Sequence, residues 1–243
     1  MTEGTGTEWL GLDGQRVVVA GGAGSLGSAL VDAFRDAGAE TAVIDAAPGD
    51  HVEADLRDPT AARTAMEEAR HRLGGVEVFV HSVGINRRKP VEEYTDADWE
   101  DIIAVNLSSA FWTARAALPW MRRQRHGRIV FFSSVAGRSG HKHHGPYAAT
   151  KGGTNQLMRV MAHESAADGV TVNAVAPGYM DTELTREYLA DHPGRREELT
   201  ELVPAGRFAR IEEVVGPVLF LSSRQAGFIT GTVLYIDGGR SVL

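Results

Sequence analysis

The amino-acid sequence predicts an α/β fold, a doubly wound parallel sheet of about seven strands with helices on both faces. Short runs rich in β-branched residues alternate with longer helical patterns along almost all of the 243 residues. This alternation is typical of βαβ units, whose crossover helices cover a parallel sheet. A glycine-rich segment directly follows the first predicted strand, and no linker or composition shift divides the chain. These observations predict one domain.

The predicted elements follow the chain in order. The strands are predicted at Arg16–Ala20, Thr41–Asp45, Val76–His81, Arg128–Ser133, Thr171–Ala176 and Val233–Asp237, with a weaker one at His51–Ala54. Helical patterns lie between them, at Leu26–Ala37, Pro59–Arg72, Asp98–Arg123, Tyr147–Asp168 and Ile211–Leu221. Residues 179–207 are helical and highly charged, and they stand where a lid over a substrate is expected. We expect a flexible tail over residues 1–11 and a single domain over residues 12–243.

Composition excludes several classes of function. The absence of cysteine excludes disulfides, thiolate zinc sites and cysteine nucleophiles. A net charge of −7 argues against nucleic-acid binding, and no apolar run approaches the ~20 residues that cross a bilayer. We therefore expect a soluble, cytoplasmic protein that acts on a small molecule, without a nucleic-acid or membrane partner.

The segment after the first strand has the composition of a phosphate-binding loop. Glycines at Gly21, Gly24 and Gly27 surround Ser25 and Leu26 and lead directly into a helix. Glycine permits a tight turn and close backbone approach to a pyrophosphate, which binds the free N–H groups at the helix N-terminus. A simple tight turn would show the same glycines, but the position between a strand and a helix favours a nucleotide site.

The end of the second strand bears on the choice of nucleotide. Asp45 follows Gly27 by eighteen residues, where a carboxylate accepts hydrogen bonds from the ribose hydroxyls and repels a 2′-phosphate. The glycine loop contains no arginine or lysine. We therefore expect NAD rather than NADP, with a turn-capping role for Asp45 as the alternative. Asp55 and Leu56, after the weak strand, are candidates for contact with the adenine.

A serine, a tyrosine and a lysine form the candidate catalytic group. Tyr147 and Lys151 are four residues apart, so a helix places them on one face, and Ser134 ends the preceding strand. A nearby ammonium stabilises a phenolate, which predicts a lowered pKa for Tyr147 and a role as general acid or base. The competing interpretation is an ordinary amphipathic helix.

These motifs together resemble the short-chain dehydrogenase/reductase family, from about Leu12 to the C-terminus. The resemblance rests on the glycine loop, Asp55-Leu56, Val105-Asn106-Leu107, Ser133-Ser134, Tyr147-x-x-x-Lys151, Pro177-Gly178 with Thr182, and Ile236-Asp237-Gly238-Gly239. It implies a Rossmann-like fold, an Asn106–Ser134–Tyr147–Lys151 tetrad and a homotetramer or homodimer paired through the two long helices and the C-terminal region.

The resemblance also implies roles for individual residues. Tyr147 would exchange the proton with the substrate, Lys151 would bind the nicotinamide ribose, and Asn106 would hold a water. Pro177, Gly178 and Thr182 would contact the nicotinamide side of the cofactor.

The chain departs from the family pattern at two places. Ser25 stands where single-domain members carry glycine, and the glycine spacing is that of the epimerase-like branch. His81-Ser82-Val83-Gly84 replaces Asn-Asn-Ala-Gly, so Ser82 and Gly84 are expected on the adenosine side with an altered cofactor affinity.

Basic residues near the expected mouth suggest an anionic substrate. Candidate substrate residues are Arg87, Arg88, His144 and Tyr179, although any one of them is also expected in a solvated surface pair. His141, His143 and His144 have no acidic neighbours in sequence, so we expect no metal site.

Short segments around these basic residues resemble gluconate 5-dehydrogenases and 2-deoxygluconate 3-dehydrogenases, which implies oxidation of a sugar acid or polyol at a secondary alcohol. The alternatives are a 3-oxoacyl thioester reductase, a ketoreductase of secondary metabolism, an epimerase that retains NAD, and a non-catalytic NAD sensor.

Overall fold

The computed structural model describes residues 6–242, in which seven parallel strands form one sheet with the order β3-β2-β1-β4-β5-β6-β7. The strands are β1 (Arg16–Ala20), β2 (Glu40–Asp45), β3 (Val52–Glu53), β4 (Val78–His81), β5 (Gly127–Phe132), β6 (Val170–Pro177) and β7 (Val233–Ile236). The chain moves outward from β1 to β3 and then returns to place β4 on the other side of β1. This reversal creates a switch point between β1 and β4, where α/β sheets of this kind bind ligands.

Eight α-helices are found among the described residues. They are α1 (Ser25–Asp36), α2 (Pro59–Leu73), α3 (Asp96–Ile103), α4 (Ser109–Arg123), α5 (Gly145–Ser165), α6 (Glu183–Ala190), α7 (Arg195–Glu201) and α8 (Glu212–Ser222). Helices α2, α4 and α5 pack on one face of the sheet, and α1 and α8 pack on the other. The α/β class and the Rossmann-like doubly wound sheet predicted from the sequence are thus confirmed.

Local sequence explains where several helices begin. Helix α2 has Pro59 at its first position, and the Asp58 carboxylate accepts a hydrogen bond from Ala61 N at 2.6 Å. Helix α3 begins with a capping box in which Thr95 and Asp98 bond each other's backbone N–H. These caps satisfy free backbone N–H groups at the start of each helix.

The largest departure from the predicted elements interrupts one long helix. The pattern over Asp98–Arg123 predicts a continuous helix, whereas α3 and α4 are separated by a π-helix at Ala104–Ser108. Wider turns of this kind occur mostly as single insertions at functional sites. Residues 179–207 contain two helices, α6 and α7, in agreement with the expected helical segment.

The N-terminal region packs more closely than a flexible tail. Residues 1–5 of that prediction lie outside the described part of the chain. Leu10 is buried in the core cluster beneath α1 and α8, and Gln225 Nε2 donates to Trp9 O at 2.9 Å. Burial of an apolar side chain therefore attaches residues 9–10 to the domain. Within residues 6–242, no helix is both long and apolar enough to cross a membrane.

Candidate active site

Two adjoining cavities lie at the carboxyl ends of the strands, on either side of the switch point. Each has a volume of about 340 Å³, within the range of small-molecule sites. The first, which we call the tetrad cleft, is lined by Gly21, Gly24, Ser25, Leu26, Gly27, Ser82, Gly84, Ser134, Tyr147, Lys151, Pro177, Gly178 and Thr182. The second, which we call the Asp45 cavity, is lined by Gly21, Asp45, Asp55, Leu56 and Arg87, among others. The cavities share Gly21, Val83 and Ile85 and form one continuous groove.

The glycine loop is close-packed at its centre and open at its tip. A Cβ at Gly27 would lie 1.9 Å from Gly21 O, and Gly21 itself has φ +83°. These two positions therefore require glycine, because a side chain would clash or strain the backbone. At Gly24, the N-cap of α1, a Cβ would meet Gly21 O no closer than 3.7 Å. Gly24, Ser25 and Leu26, at the start of α1, line the tetrad cleft, and the free N–H groups of a helix start can bind a phosphate.

The Asp45 carboxylate is held by two backbone groups. Its Oδ2 accepts from Ala23 N in the glycine loop at 3.0 Å, and its Oδ1 accepts from Ala47 N at 3.0 Å. The carboxylate therefore lies at the wall of the groove beside the loop. It has a turn-fixing role in addition to any contact with a ligand.

The structure brings Ser134, Tyr147 and Lys151 together in the tetrad cleft. Ser134 follows β5, and its Oγ accepts from Ala136 N at 3.2 Å. Tyr147 and Lys151 lie in the first two turns of α5, with Lys151 Nζ 5.5 Å from the centre of the Tyr147 ring. The Lys151 ammonium donates to Phe132 O at 2.7 Å, which fixes its position at the end of β5.

The predicted direction of the Tyr147 pKa shift is wrong for this structure. Burial raises the pKa of Tyr147, and this effect exceeds the opposing effects of the Ser134 hydrogen bond and the Arg88 charge. Burial also lowers the pKa of Lys151 to about 8. The physical reason is that both groups are desolvated, while the ammonium is directed at a carbonyl rather than at the phenol.

The π-helix positions Asn106. The Asn106 side chain accepts a hydrogen bond from Ile85 N at 2.8 Å and donates one to Ile85 O at 2.9 Å. It thus pairs with both backbone groups of one residue in the loop after β4. Its Nδ2 also lies 3.3 Å from Thr150 Oγ1 on α5. Asn106 therefore fastens three segments around the tetrad cleft. A Cβ on Gly84 would lie 3.5 Å from both Asn106 Oδ1 and Lys151 Nζ and would enter the cleft.

His81, which departs from the family pattern, is a buried structural group. Its Nε2 lies 2.9 Å from Ser109 Oγ, and that hydroxyl donates to Val105 O at 2.5 Å. The hydroxyl must accept from His81, which places a proton on Nε2. Burial and the nearby Lys151 charge lower the pKa of His81 to about 3, so the ring is neutral at pH 7. The neighbouring Ser82 hydroxyl donates to Ala20 O at 2.7 Å and ties β4 to β1.

The basic run after β4 divides into two kinds of residue. Arg87 Nη2 lies 2.5 Å from Asp101 Oδ2, and Lys89 Nζ lies 2.7 Å from Asp98 Oδ2, both on α3. Arg88 instead stacks on the Tyr188 ring at 3.7 Å, and its charge acts on Tyr147 and His144. Among the side chains that the structure describes, no carboxylate pairs with Arg88.

The other two candidate substrate residues, His144 and Tyr179, lie in different places. The His144 ring meets the Tyr147 ring edge-on at 5.9 Å, and burial lowers the pKa of His144 to about 4. Tyr179 stacks on Phe208 with ring centres 5.4 Å apart and lines a different, smaller cavity. The structure therefore places His144 beside Tyr147, and it does not bring Arg87 or Tyr179 to the tetrad cleft.

Sequence reasoning did not identify three residues that hold neighbouring segments together. Ile85 supplies the backbone that binds Asn106, Thr150 bonds the same amide, and Arg240 contacts both His141 and Tyr179. Thr150 lies inside the Tyr147-x-x-x-Lys151 motif, which was a usable signal. Arg240 follows the terminal glycine pair but gives no sequence signal of its contact across 99 residues.

Comparisons with known proteins agree with this arrangement. A family model described as "Enoyl-(Acyl carrier protein) reductase" matches residues 21–241. The 3-oxoacyl-[acyl-carrier-protein] reductase FabG of Escherichia coli (strain K12) is 33% identical over 95% of this chain and 98% of that protein. Gluconate 5-dehydrogenase of Gluconobacter oxydans (strain 621H) is 35% identical over 77% of this chain and 74% of that protein.

A solved structure extends the likeness to three dimensions. The crystal structure of a gluconate 5-dehydrogenase from Burkholderia cenocepacia J2315, in complex with NADP and tartrate, has a TM-score of 0.86 and 30% identity, covering 95% of this chain and 96% of that one. The fold, the groove and these similarities define a nicotinamide-dependent oxidoreductase. The chain belongs to the short-chain dehydrogenase/reductase family, whose chemistry interconverts alcohols and ketones.

Proposed function

We propose that this protein is an NAD-dependent dehydrogenase that oxidises a secondary alcohol of a sugar acid or polyol. The observation that carries the proposal is the difference between Arg88 and its neighbours. Arg87 and Lys89 form ion pairs with carboxylates of α3. Arg88 has no carboxylate partner among the described side chains, and its positive charge acts on Tyr147 and His144. Such a charge attracts an anionic substrate to the proton-transferring group.

The groove fits a dinucleotide. Gly21 and Gly27 exclude side chains from the loop beside the N-terminus of α1, and Gly84 leaves room beside Lys151 and Asn106. In the proposed assignment, the loop and α1 hold the pyrophosphate and Asp45 the adenosine ribose. Asp55, Leu56 and Ser82 lie toward the adenine side, and Pro177, Gly178 and Thr182 toward the nicotinamide side.

Asp45 supports NAD over NADP. A carboxylate fixed beside the loop by Ala23 N accepts hydrogen bonds from ribose hydroxyls and repels a 2′-phosphate. The solved gluconate 5-dehydrogenase is a complex with NADP, so the proposed preference for NAD would distinguish this chain from that relative.

The proposed mechanism assigns one task to each tetrad residue. The nicotinamide, when bound, supplies or accepts the hydride. After the Tyr147 phenol has released its own proton to solvent, its Oη takes the proton of the substrate alcohol as general base, and Ser134 Oγ holds the same oxygen in place. The Lys151 ammonium, held by Phe132 O, stabilises the phenolate once the phenol is deprotonated. Asn106 keeps the β4 loop and α5 in register around these groups.

The hydrogen-bonding pattern of His144 supports the proposal of a substrate with several hydroxyl groups. Its Nδ1 lies 2.7 Å from Lys142 O, which accepts only, so Nδ1 carries the proton and Nε2 is an acceptor. Among the described residues, Nε2 has no hydrogen-bond partner. A neutral acceptor beside Tyr147 suits a neighbouring hydroxyl of a sugar acid, a group that a fatty acyl chain lacks.

The second candidate function is reduction of a 3-oxoacyl thioester. It is supported by the FabG similarity, which extends over 95% of the chain. The deciding experiment follows nicotinamide absorbance with NAD and NADP separately, on gluconate, 2-deoxygluconate, neutral polyols and a 3-oxoacyl thioester. Turnover of sugar acids with NAD supports the proposal. Turnover confined to the thioester with NADPH would replace it with the second function.

Exposed apolar side chains support an assembly of identical chains. Trp99, Phe111 and Val160 are 49%, 37% and 46% exposed on α3, α4 and α5. We propose that these helices pair in a homodimer or homotetramer in the cytoplasm. Sedimentation velocity tests the assembly, and a monomer at micromolar concentration would contradict it.

A further inference from the structure

The C-terminal turn holds an arginine beside His141 and Tyr179. The Asp237 carboxylate accepts from Gly239 N at 3.0 Å and from Ser241 N at 2.8 Å, which fixes the turn that carries Arg240. The Arg240 guanidinium donates to Leu202 O at 3.3 Å and stacks on the Tyr179 ring at 4.8 Å. Its Nη2 lies 3.1 Å from His141 Nδ1. One side chain thus joins the segments that follow β5, β6 and α7.

The contact between Arg240 and His141 fixes the protonation of the imidazole. A guanidinium only donates hydrogen bonds, so His141 Nδ1 must accept and the proton of the neutral ring must be on Nε2. Burial and the Arg240 charge lower the pKa of His141, in agreement with a neutral ring. His141 Nε2 is therefore a donor, as Arg240 Nε always is.

Both of these donors are buried without an acceptor. Neither His141 Nε2 nor Arg240 Nε has a hydrogen-bond partner among the described residues, although both atoms are shielded from solvent. Buried donors are almost always paired, and leaving one unpaired costs about 1–3 kcal/mol. An acceptor that bonds both donors would also lie next to the positive charge of the guanidinium, which favours an anion.

No protein carboxylate fills this need within the described side chains. Asp237, the nearest acid in sequence, uses both oxygens on the backbone of its own turn. Arg240 thereby differs from Arg87, Arg195 and Arg207, which pair with Asp101, Glu198 and Glu213. Within the described side chains, the Arg240 charge therefore has no acidic partner.

We propose that Arg240 and His141 form an oxyanion subsite that binds an acid group of the substrate, a carboxylate or a phosphate ester. The rings of His141, His144 and Tyr147 follow one another at 6.0 Å and 5.9 Å between centres, so the subsite lies at the far end of a row that starts at the proton-transferring phenol. The substrate would extend along this row, with the reacting alcohol at Tyr147 and the acid group at Arg240. Arg88 would then attract the anion, and Arg240 would hold it.

The assignment to substrate rests on the proposed function, whereas oxyanion binding itself is tested separately. Calorimetric titration with inorganic phosphate compares the wild type with Arg240→Met, His141→Phe and His141→Gln. Arg63→Met, which removes an exposed arginine of α2, controls for the loss of one charge. The difference between wild type and R240M isolates this subsite from phosphate bound at the glycine loop.

We expect R240M to weaken phosphate binding about tenfold or more, as for a lost charged hydrogen bond. H141F should also weaken it, and H141Q, whose amide retains a donor, should restore most of it. R63M should bind like the wild type. Equal phosphate affinity in wild type and R240M overturns the subsite.

A second measurement identifies the bound group. R240M should raise KM for gluconate about tenfold with kcat within a few-fold, and it should leave a neutral polyol unaffected. Lost phosphate binding with an unchanged KM for the acid overturns the assignment to substrate. If the wild type turns over no sugar acid while R240M still loses phosphate, the oxyanion subsite stands and the proposed substrate class fails.

Discussion

Replacement of His81 by asparagine tests whether one buried imidazole makes the fold sensitive to acid. His81 is 2% exposed and lies between Phe79 and Phe131, with ring centres 6.3 Å from each. Its Nε2 bonds Ser109, and the Lys151 charge opposes a second positive charge nearby. Asparagine, the residue of the family pattern, keeps a polar amide and cannot take up a proton.

The magnitude follows from the pKa. Burial lowers the pKa of His81 to about 3, against an ordinary value near 6.5. Between these values the unfolded chain binds a proton that the folded chain does not, so stability is lost as the pH falls below about 6.5. At pH 5 the loss from His81 alone is about 2 kcal/mol, and above pH 6.5 it vanishes.

The assay is urea unfolding at pH 7.5 and pH 5.0. We expect the wild type to lose about 2 kcal/mol more between the two pH values than His81→Asn. The comparison within each variant removes the packing cost of the substitution itself. His163→Asn, at an exposed position of α5, serves as the matched control and should follow the wild type.

One result would refute this reasoning. If H81N and the wild type lose the same stability on acidification, His81 is protonated as easily in the folded chain as in the unfolded one. Burial between two aromatic rings would then carry no electrostatic penalty.

Three further substitutions test the groove. Tyr147→Phe should abolish turnover and leave NADH binding within a few-fold, as measured by steady-state kinetics and fluorescence titration; near-normal activity would contradict general acid–base catalysis by the phenol. Asp45→Ala should relax discrimination against NADP, and an unchanged ratio of kcat/KM for the two cofactors would show that the ribose is recognised elsewhere. Gly27→Ala should lower stability by about 1–3 kcal/mol in urea unfolding, because its Cβ would lie 1.9 Å from Gly21 O; wild-type stability would mean that the loop adjusts freely.

Residue patterns within single segments were sufficient to predict most of the fold. β1 matches its predicted bounds, and β5 and β6 are buried along their whole length because both faces are covered by helices. The proximity of Tyr147 and Lys151 was predictable from sequence, because the two residues share the first turns of one helix. Ser134 joins them because parallel strands bring the end of β5 to the same edge as the start of α5, and Asn106 was assigned only through the family resemblance.

Contacts between distant segments were not predictable in the same way. Arg87 and Arg88 are adjacent in sequence, yet the carboxylates of α3 neutralise one and not the other. The direction of the Tyr147 pKa shift depended on burial and on where the Lys151 ammonium points, and neither is a property of spacing. Arg240 meets His141 only because the sheet brings the ends of β5 and β7 to the same edge.

Because of the π-helix at Ala104–Ser108, the position of Asn106 depends on the number of residues in this turn as well as on which residues they are. An α-helix advances about 100° per residue, so removing one residue from the wide turn would restore regular winding and rotate everything before it by that angle relative to α4. Asn106 would then swing away from Ile85, or α4 would lose its fit against the sheet. Deletions in this turn should therefore be far less tolerated than substitutions, although the segment looks like ordinary helix in sequence.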